Sequence, residues 1–124
     1  MNMETTDEKI MTALSDWGCD VADAMPRFLD RKDLYCRLLA QVPAETGFEA
    51  LGTALEAGDV QAAFEQAHGL KGVLGNMGLT PMYETVCRIV EPLRAGTAQG
   101  VEQDYRRLME MRETLCRILR QTQA

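Results

Sequence analysis

The 124-residue chain has no run approaching the roughly 20 consecutive apolar residues that a membrane span requires. Its amino terminus, Met1-Asn2-Met3-Glu4, opens no basic stretch leading into an apolar core. A cytoplasmic protein without a membrane partner is therefore expected, and the initial Met1 leads us to expect a free-standing unit. Positive charge is also short. Thirteen Lys and Arg face nineteen Asp and Glu, a net charge of -6, and such a field repels nucleic acid and anionic surfaces, so no nucleic-acid partner is expected. Cys19, Cys36, Cys87 and Cys116 are scattered, with no Cys-x-x-Cys pair. They read as free, mostly buried thiols rather than as a disulfide framework or zinc ligands. There is one histidine, which leaves no basis for a multi-histidine metal centre. No Gly-x-Ser-x-Gly elbow accompanies it, so a hydrolase is disfavoured.

What is present is helical patterning. Hydrophobic residues make up 46% of the chain and charged residues 26%, enough for one core in one domain over residues 1–124. Apolar residues recur at three- and four-residue intervals, without the alternation of strands. Asp30 reads as the N-cap of a helix bearing Leu34, Leu38, Leu39 and Val42 on one face and stopping before Pro43. A second helix, from about Ala44 to Ala57, turns Phe48, Leu51 and Leu55 inward and stops at Gly58. Asp59 caps a third, from Val60 to about Met77, ended by Gly78. Thr80-Pro81 reads as a capping hydroxyl followed by proline at the first helical position, with Tyr83, Cys87, Val90 and Leu93 at helical spacing and Pro92 set to kink or shorten the helix. After a loop at Gly96 to Gly100, a last helix runs from about Val101 to Arg120, its arginines and acids forming a solvated mixed-charge face. Ahead of these lie short helices near Glu8 to Trp17 and Val21 to Phe28. The expected fold is all-α, an up-and-down four-helix bundle with additional short N-terminal helices.

One segment breaks the local rules. Gly69, Gly72, Gly75 and Gly78 fall within ten residues of a helix. Gly78 serves as a stop, but the other three together forfeit roughly 2.5 to 3 kcal/mol of helical preference. That loss calls for a use. At about 100° per residue, Ala63, Ala67, Leu70, Leu74 and Met77 gather on the side opposite His68 and form the core stripe. Gln61, Gly72 and Gly75 lie within about 40° of His68, and Glu65 and Lys71 within about 60°. His68 therefore faces solvent on a surface shaved flat, where another macromolecule can bring a reactive group to the ring. Imidazole is a nucleophile near pH 7, and phosphoryl transfer needs mostly positioning and charge neutralisation. Lys71 offers the neutralising cation.

The string Ala67-His68-Gly69-Leu70-Lys71-Gly72-Val73-Leu74-Gly75-Asn76-Met77-Gly78-Leu79 resembles the signature of histidine-containing phosphotransfer (HPt) domains, His-x-Leu-Lys-Gly followed after five residues by Gly. The resemblance runs from about Asp30 to Gly96, the motif-bearing core, and includes the Gly-Leu-Thr-Pro junction at Gly78 to Pro81. It implies that His68 accepts the phosphoryl group, that Lys71 stabilises it, and that Gly72 leaves room for the partner. The implied function is that of a phosphorelay intermediate between aspartates of receiver domains, or from a hybrid histidine kinase, with no ATP-dependent kinase activity of its own. No cofactor is implied on this chain, since the receiver supplies Mg²⁺, and a monomer is expected. Gln61, Phe64, Glu65, Gly72 and Gly75 are the partner-binding candidates; for Phe64, as for Ile10, Met11 and Leu14, which the family's apolar docking residues also suggest, core packing is the plainer explanation. The chain departs from the family at Val90, where many members carry Gln or Glu to hold the imidazole. Orientation of the ring would then fall to Glu91, Glu84, a backbone group or water. The alternative is a non-phosphorylated helical adaptor that keeps this shape and binds a receiver domain or a partner helix.

Overall fold

The computed structural model describes residues 4–121. Its helices are α1 (Thr6–Trp17), α2 (Val21–Ala24), α3 (Lys32–Leu39), α4 (Gly47–Glu56), α5 (Val60–Asn76), α6 (Thr80–Arg94) and α7 (Val101–Gln121), and single 3-10 turns cover Met25–Phe28 and Val42–Ala44. Helix α4 packs on α5, α5 on α6, α6 on α7, and α7 returns to α4, which closes the expected up-and-down bundle. The short α1, α2 and α3 form a layer at one end, with α1 also touching α7. Among the described residues there is no strand.

Most helix boundaries follow from caps. Thr5 and Glu8 form a reciprocal capping box at α1, and Asp59 accepts the Ala62 N–H at the start of α5. Gly18, Gly58, Gly78 and Gly96 take left-handed backbone after α1, α4, α5 and α6. Helix α6 runs through Pro92 and ends two residues later, consistent with a proline that shortens it.

Four sequence expectations need correction. Asp30 does not cap α3. The chain leaves the 3-10 turn through two left-handed residues, Leu29 (φ 59°) and Asp30 (φ 54°), and the helix starts at Lys32 after Arg31. That delay rotates the helix, so Tyr35, Cys36 and Leu39 face the core while Leu38 is exposed and Leu34 only half-buried. Thr80 is already helical and Leu79 holds the cap position; the Thr80 hydroxyl instead accepts the Asp20 N–H at 3.1 Å. The 3-10 turn at Val42–Ala44 takes up the start expected for the second helix, which begins at Gly47. On α7, Arg112 is not solvated: it donates to Glu49 at 2.6 Å and lies 5.2 Å from the centre of the Phe48 ring, tying α7 to α4.

The core runs the length of the bundle. Phe48, Leu51, Leu74, Met82, Ile89, Leu108 and Leu115 are fully buried. Among the described residues Thr85 is a buried polar side chain within that core, and its hydroxyl donates to the Pro81 carbonyl at 3.0 Å. Cys19 and Cys36 are buried free thiols; Cys87 and Cys116 are free but only half-buried.

Candidate functional site

Helix α5 presents its two faces as the angular arithmetic requires. Ala63, Ala67, Leu70, Leu74 and Met77 are buried, and His68 is exposed. The small side chains at Ala63 and Ala67 suit close approach by neighbouring helices. The C-terminal end of α5 is held by the N-terminal layer. Arg27 donates to the Asn76 carbonyl at 3.0 Å and to the Gly75 carbonyl at 3.2 Å, while the Tyr35 hydroxyl donates to the Met77 carbonyl at 2.7 Å. Carbonyls that a helix terminus leaves without intrahelical partners are thereby satisfied. The Asp20 N–H donates to the Gly78 carbonyl at 2.9 Å. A Cβ placed on Gly78 would come within 2.5 Å of the Asp20 carbonyl oxygen, so this position requires glycine for space as well as for its φ of 69°.

His68 stands in the middle of a strip formed by α5 and α6. The two helices run antiparallel, so Phe64 meets Arg94 at one end of the strip and Gly75 meets Tyr83 at the other. A shallow depression of about 290 Å³ is lined by His68, Lys71, Gly72, Gly75 and Tyr83. Lys71 is half-buried beside the histidine. A Cβ on Gly69 or Gly72 would meet nothing within 4 Å. Gly75 differs: its missing side chain makes room for the Tyr83 ring, so the bare surface is shorter than the glycine spacing suggests. Gln61 and Glu65, on the same exposed face, bond to each other at 3.1 Å.

The surroundings of the imidazole are apolar on one side. Phe64, one turn earlier, stacks with it at 5.6 Å between ring centres and 15° between planes. Arg94 places its guanidinium carbon 5.3 Å from the centre of Phe64 and pairs with Glu91 at 3.5 Å. Val90 is fully buried and offers no polar group. Glu91, considered above as a partner for the ring, is engaged with Arg94, and among the described residues the imidazole has no hydrogen bond or ion pair with another side chain. Ile10 and Leu14 are buried in the core, as the plainer explanation had it, while Met11 is half-buried.

The roles of Tyr83, Arg94 and Arg27 were not read from the sequence. Phe64 and His68 are four apart on one helix, so their contact was legible. The other three act across elements and needed the register of α5 against α6 and the placement of the N-terminal layer.

The Hpt domain family model matches residues 37–121, from within α3 to the end of α7. The chain belongs to the Hpt domain family. No curated protein and no solved structure matches it. The match takes in the whole bundle and the strip, while α1 and α2 lie outside it. Hpt domains serve phosphotransfer in two-component signalling, where they interact with receiver domains and histidine kinases. Among the described residues no helix of this Hpt domain is long and apolar enough to cross a membrane, and no group of three His, Cys, Asp or Glu side chains is placed to hold a metal ion.

Proposed function

We propose that this Hpt domain is a phosphorelay intermediate in which His68 takes a phosphoryl group from an aspartyl phosphate of a receiver domain and passes it to a second receiver. The supporting observation is the exposed imidazole beside half-buried Lys71 and bare Gly72. A lone pair on a ring nitrogen of His68 forms the P–N bond as the P–O bond to the receiver's carboxylate breaks, and the carboxylate leaves with the electron pair. The second transfer reverses these bonds on another aspartate. Lys71 faces the phosphoryl oxygens and offsets their charge. The receiver lands over Gln61, Phe64, Glu65 and Gly72, with Gly75 at the edge of the surface, and brings the Mg²⁺ that accompanies its aspartate.

The test is a transfer assay. The protein is incubated with a phosphorylated receiver and Mg²⁺, and the label is examined for lability in acid and stability in base. The expected product is a phosphoramidate that disappears in His68→Gln. Label persisting in that variant would remove His68 from the reaction. Wild-type protein that binds receivers but takes no label from any of them would instead point to the adaptor.

A further inference from the structure

Phosphoryl transfer between two rigid partners depends on the angle at which the accepting nitrogen meets the phosphorus. Here, among the described residues, no hydrogen bond or ion pair to another side chain sets that angle, and Val90, the position where the family resemblance expects a polar partner for the ring, is buried and apolar. A ring free to rotate about its side-chain bonds would spend much of its time misdirected. The ring does have an aromatic neighbour, Phe64, which lies nearly parallel to it, 15° apart, at 5.6 Å. Phe64 is itself held. It is half-buried against the core, and the Arg94 guanidinium sits over it, steadied in turn by Glu91.

From this column, and resting on the phosphorelay function proposed above, we infer that Phe64 is the positioning residue for the His68 imidazole, with Arg94 as its anchor. Stacking favours ring planes parallel to the phenyl face and so narrows the range of side-chain rotation from which a ring nitrogen meets the incoming phosphorus. Offset aromatic stacking at this separation is attractive. Arg94 holds Phe64 through the ring quadrupole from the end of α6, so the device spans both helices of the strip. This role is distinct from docking: a docking residue sets how much receiver is needed, whereas a positioning residue sets how fast the bound pair reacts.

Two measurements on the full chain separate these roles. The first reads the order of the His68 ring in unphosphorylated protein from ¹³C relaxation at Cδ2. The second reads single-turnover transfer from a receiver domain phosphorylated with radiolabelled acetyl phosphate, over a series of receiver concentrations with Mg²⁺. In Phe64→Leu the ring should become less ordered and the maximal transfer rate at saturating receiver should fall on the order of tenfold, over and above any rise in the half-saturating receiver concentration from the lost docking contact. Phe64→Tyr, which keeps the aromatic face, should restore both, and Arg94→Met should show the same changes in smaller degree. An ordered ring with a wild-type maximal rate in Phe64→Leu overturns the inference, as does a loss confined to the half-saturating concentration. Should Phe64→Leu fail to fold, an unchanged ring and rate in Arg94→Met overturn it. If the wild type itself takes no label, the phosphorelay function fails and this role in transfer falls with it; if the wild type labels and Phe64→Leu labels equally fast, the positioning role alone fails.

Discussion

The ring of Tyr83 occupies the space that a side chain at Gly75 would need: a Cβ there would lie 2.9 Å from Cε1 and 3.0 Å from Cδ1. The glycines of α5 therefore have two different uses. Gly69 and Gly72 leave surface bare, and a Cβ on either would meet nothing within 4 Å. Gly69→Ala and Gly72→Ala should each stabilise the protein by about 0.8 to 1.0 kcal/mol, the ordinary gain in helical preference. Gly75→Ala should lose much of that gain, because the contact falls on the body of a ring and not on a flexible tip. Urea denaturation of the three variants provides the comparison, and equal stabilisation by all three would show that Tyr83 moves aside at no cost.

Gly72 matters for what is outside the protein. It is exposed, lines the His68 depression and has open space where its side chain would be. Gly72→Leu should keep helical content and thermal midpoint close to wild type while cutting transfer from a phosphorylated receiver at least tenfold, through steric exclusion of the partner about one turn from the accepting ring. A folded Gly72→Leu protein that transfers at the normal rate would mean that the receiver approaches from another side.

The bundle was legible because its signals are local. Apolar spacing at i, i+3 and i+4, the Asp59 cap and the glycine stops each depend on a few neighbouring residues, and the structure places α5, α6 and α7 close to where those signals put them. The exposure of His68 followed from the same angular arithmetic. What was hidden involved contacts between distant segments. Asp30 carries a good capping side chain, but the preceding turn imposes a left-handed backbone on it, and no local rule announces that. Thr80 has the right hydroxyl one position too late, and Asp20, sixty residues earlier, claims it. Arg112 was read as solvated because its partners, Glu49 and Phe48, belong to another helix. Gly75 was grouped with Gly72 because spacing alone does not show that Tyr83 crosses it.

Lys71 lines the same depression as His68 and is half-buried there. Lys71→Ala should remove one charge-assisted contact, worth about 1.5 to 3 kcal/mol when fully formed. That corresponds to roughly a tenfold or greater loss in transfer rate or in the lifetime of the phosphorylated form. Its effect should weaken at high salt, where the charge is screened. Rate and lifetime measured at low ionic strength and found unchanged would take Lys71 out of the site.

Three buried acids give the fold a dependence on alkaline pH. Burial pushes the Cys19 thiol from an ordinary value of 9.0 up to about 11, and the Cys36 thiol from 9.0 up to about 12. The Tyr35 hydroxyl, buried where it donates to the Met77 carbonyl, is also raised, by the loss of solvent first and by the neighbouring Cys19 and Cys36 thiols second. Each group is kept neutral by the fold and ionises more easily in the unfolded chain. Their stabilising contribution is therefore complete below pH 9 and declines as pH rises from there through 11 to 12, because the unfolded state gives up protons that the folded state retains. Urea midpoints should be level between pH 7 and 8.5 and fall steadily from pH 9 to 10.5. Cys19→Ala should reduce the slope of that fall, since alanine has no proton to lose. A wild-type midpoint that stays constant up to pH 10.5, or a Cys19→Ala slope equal to wild type, would show that these thiols are reached by solvent in the folded protein.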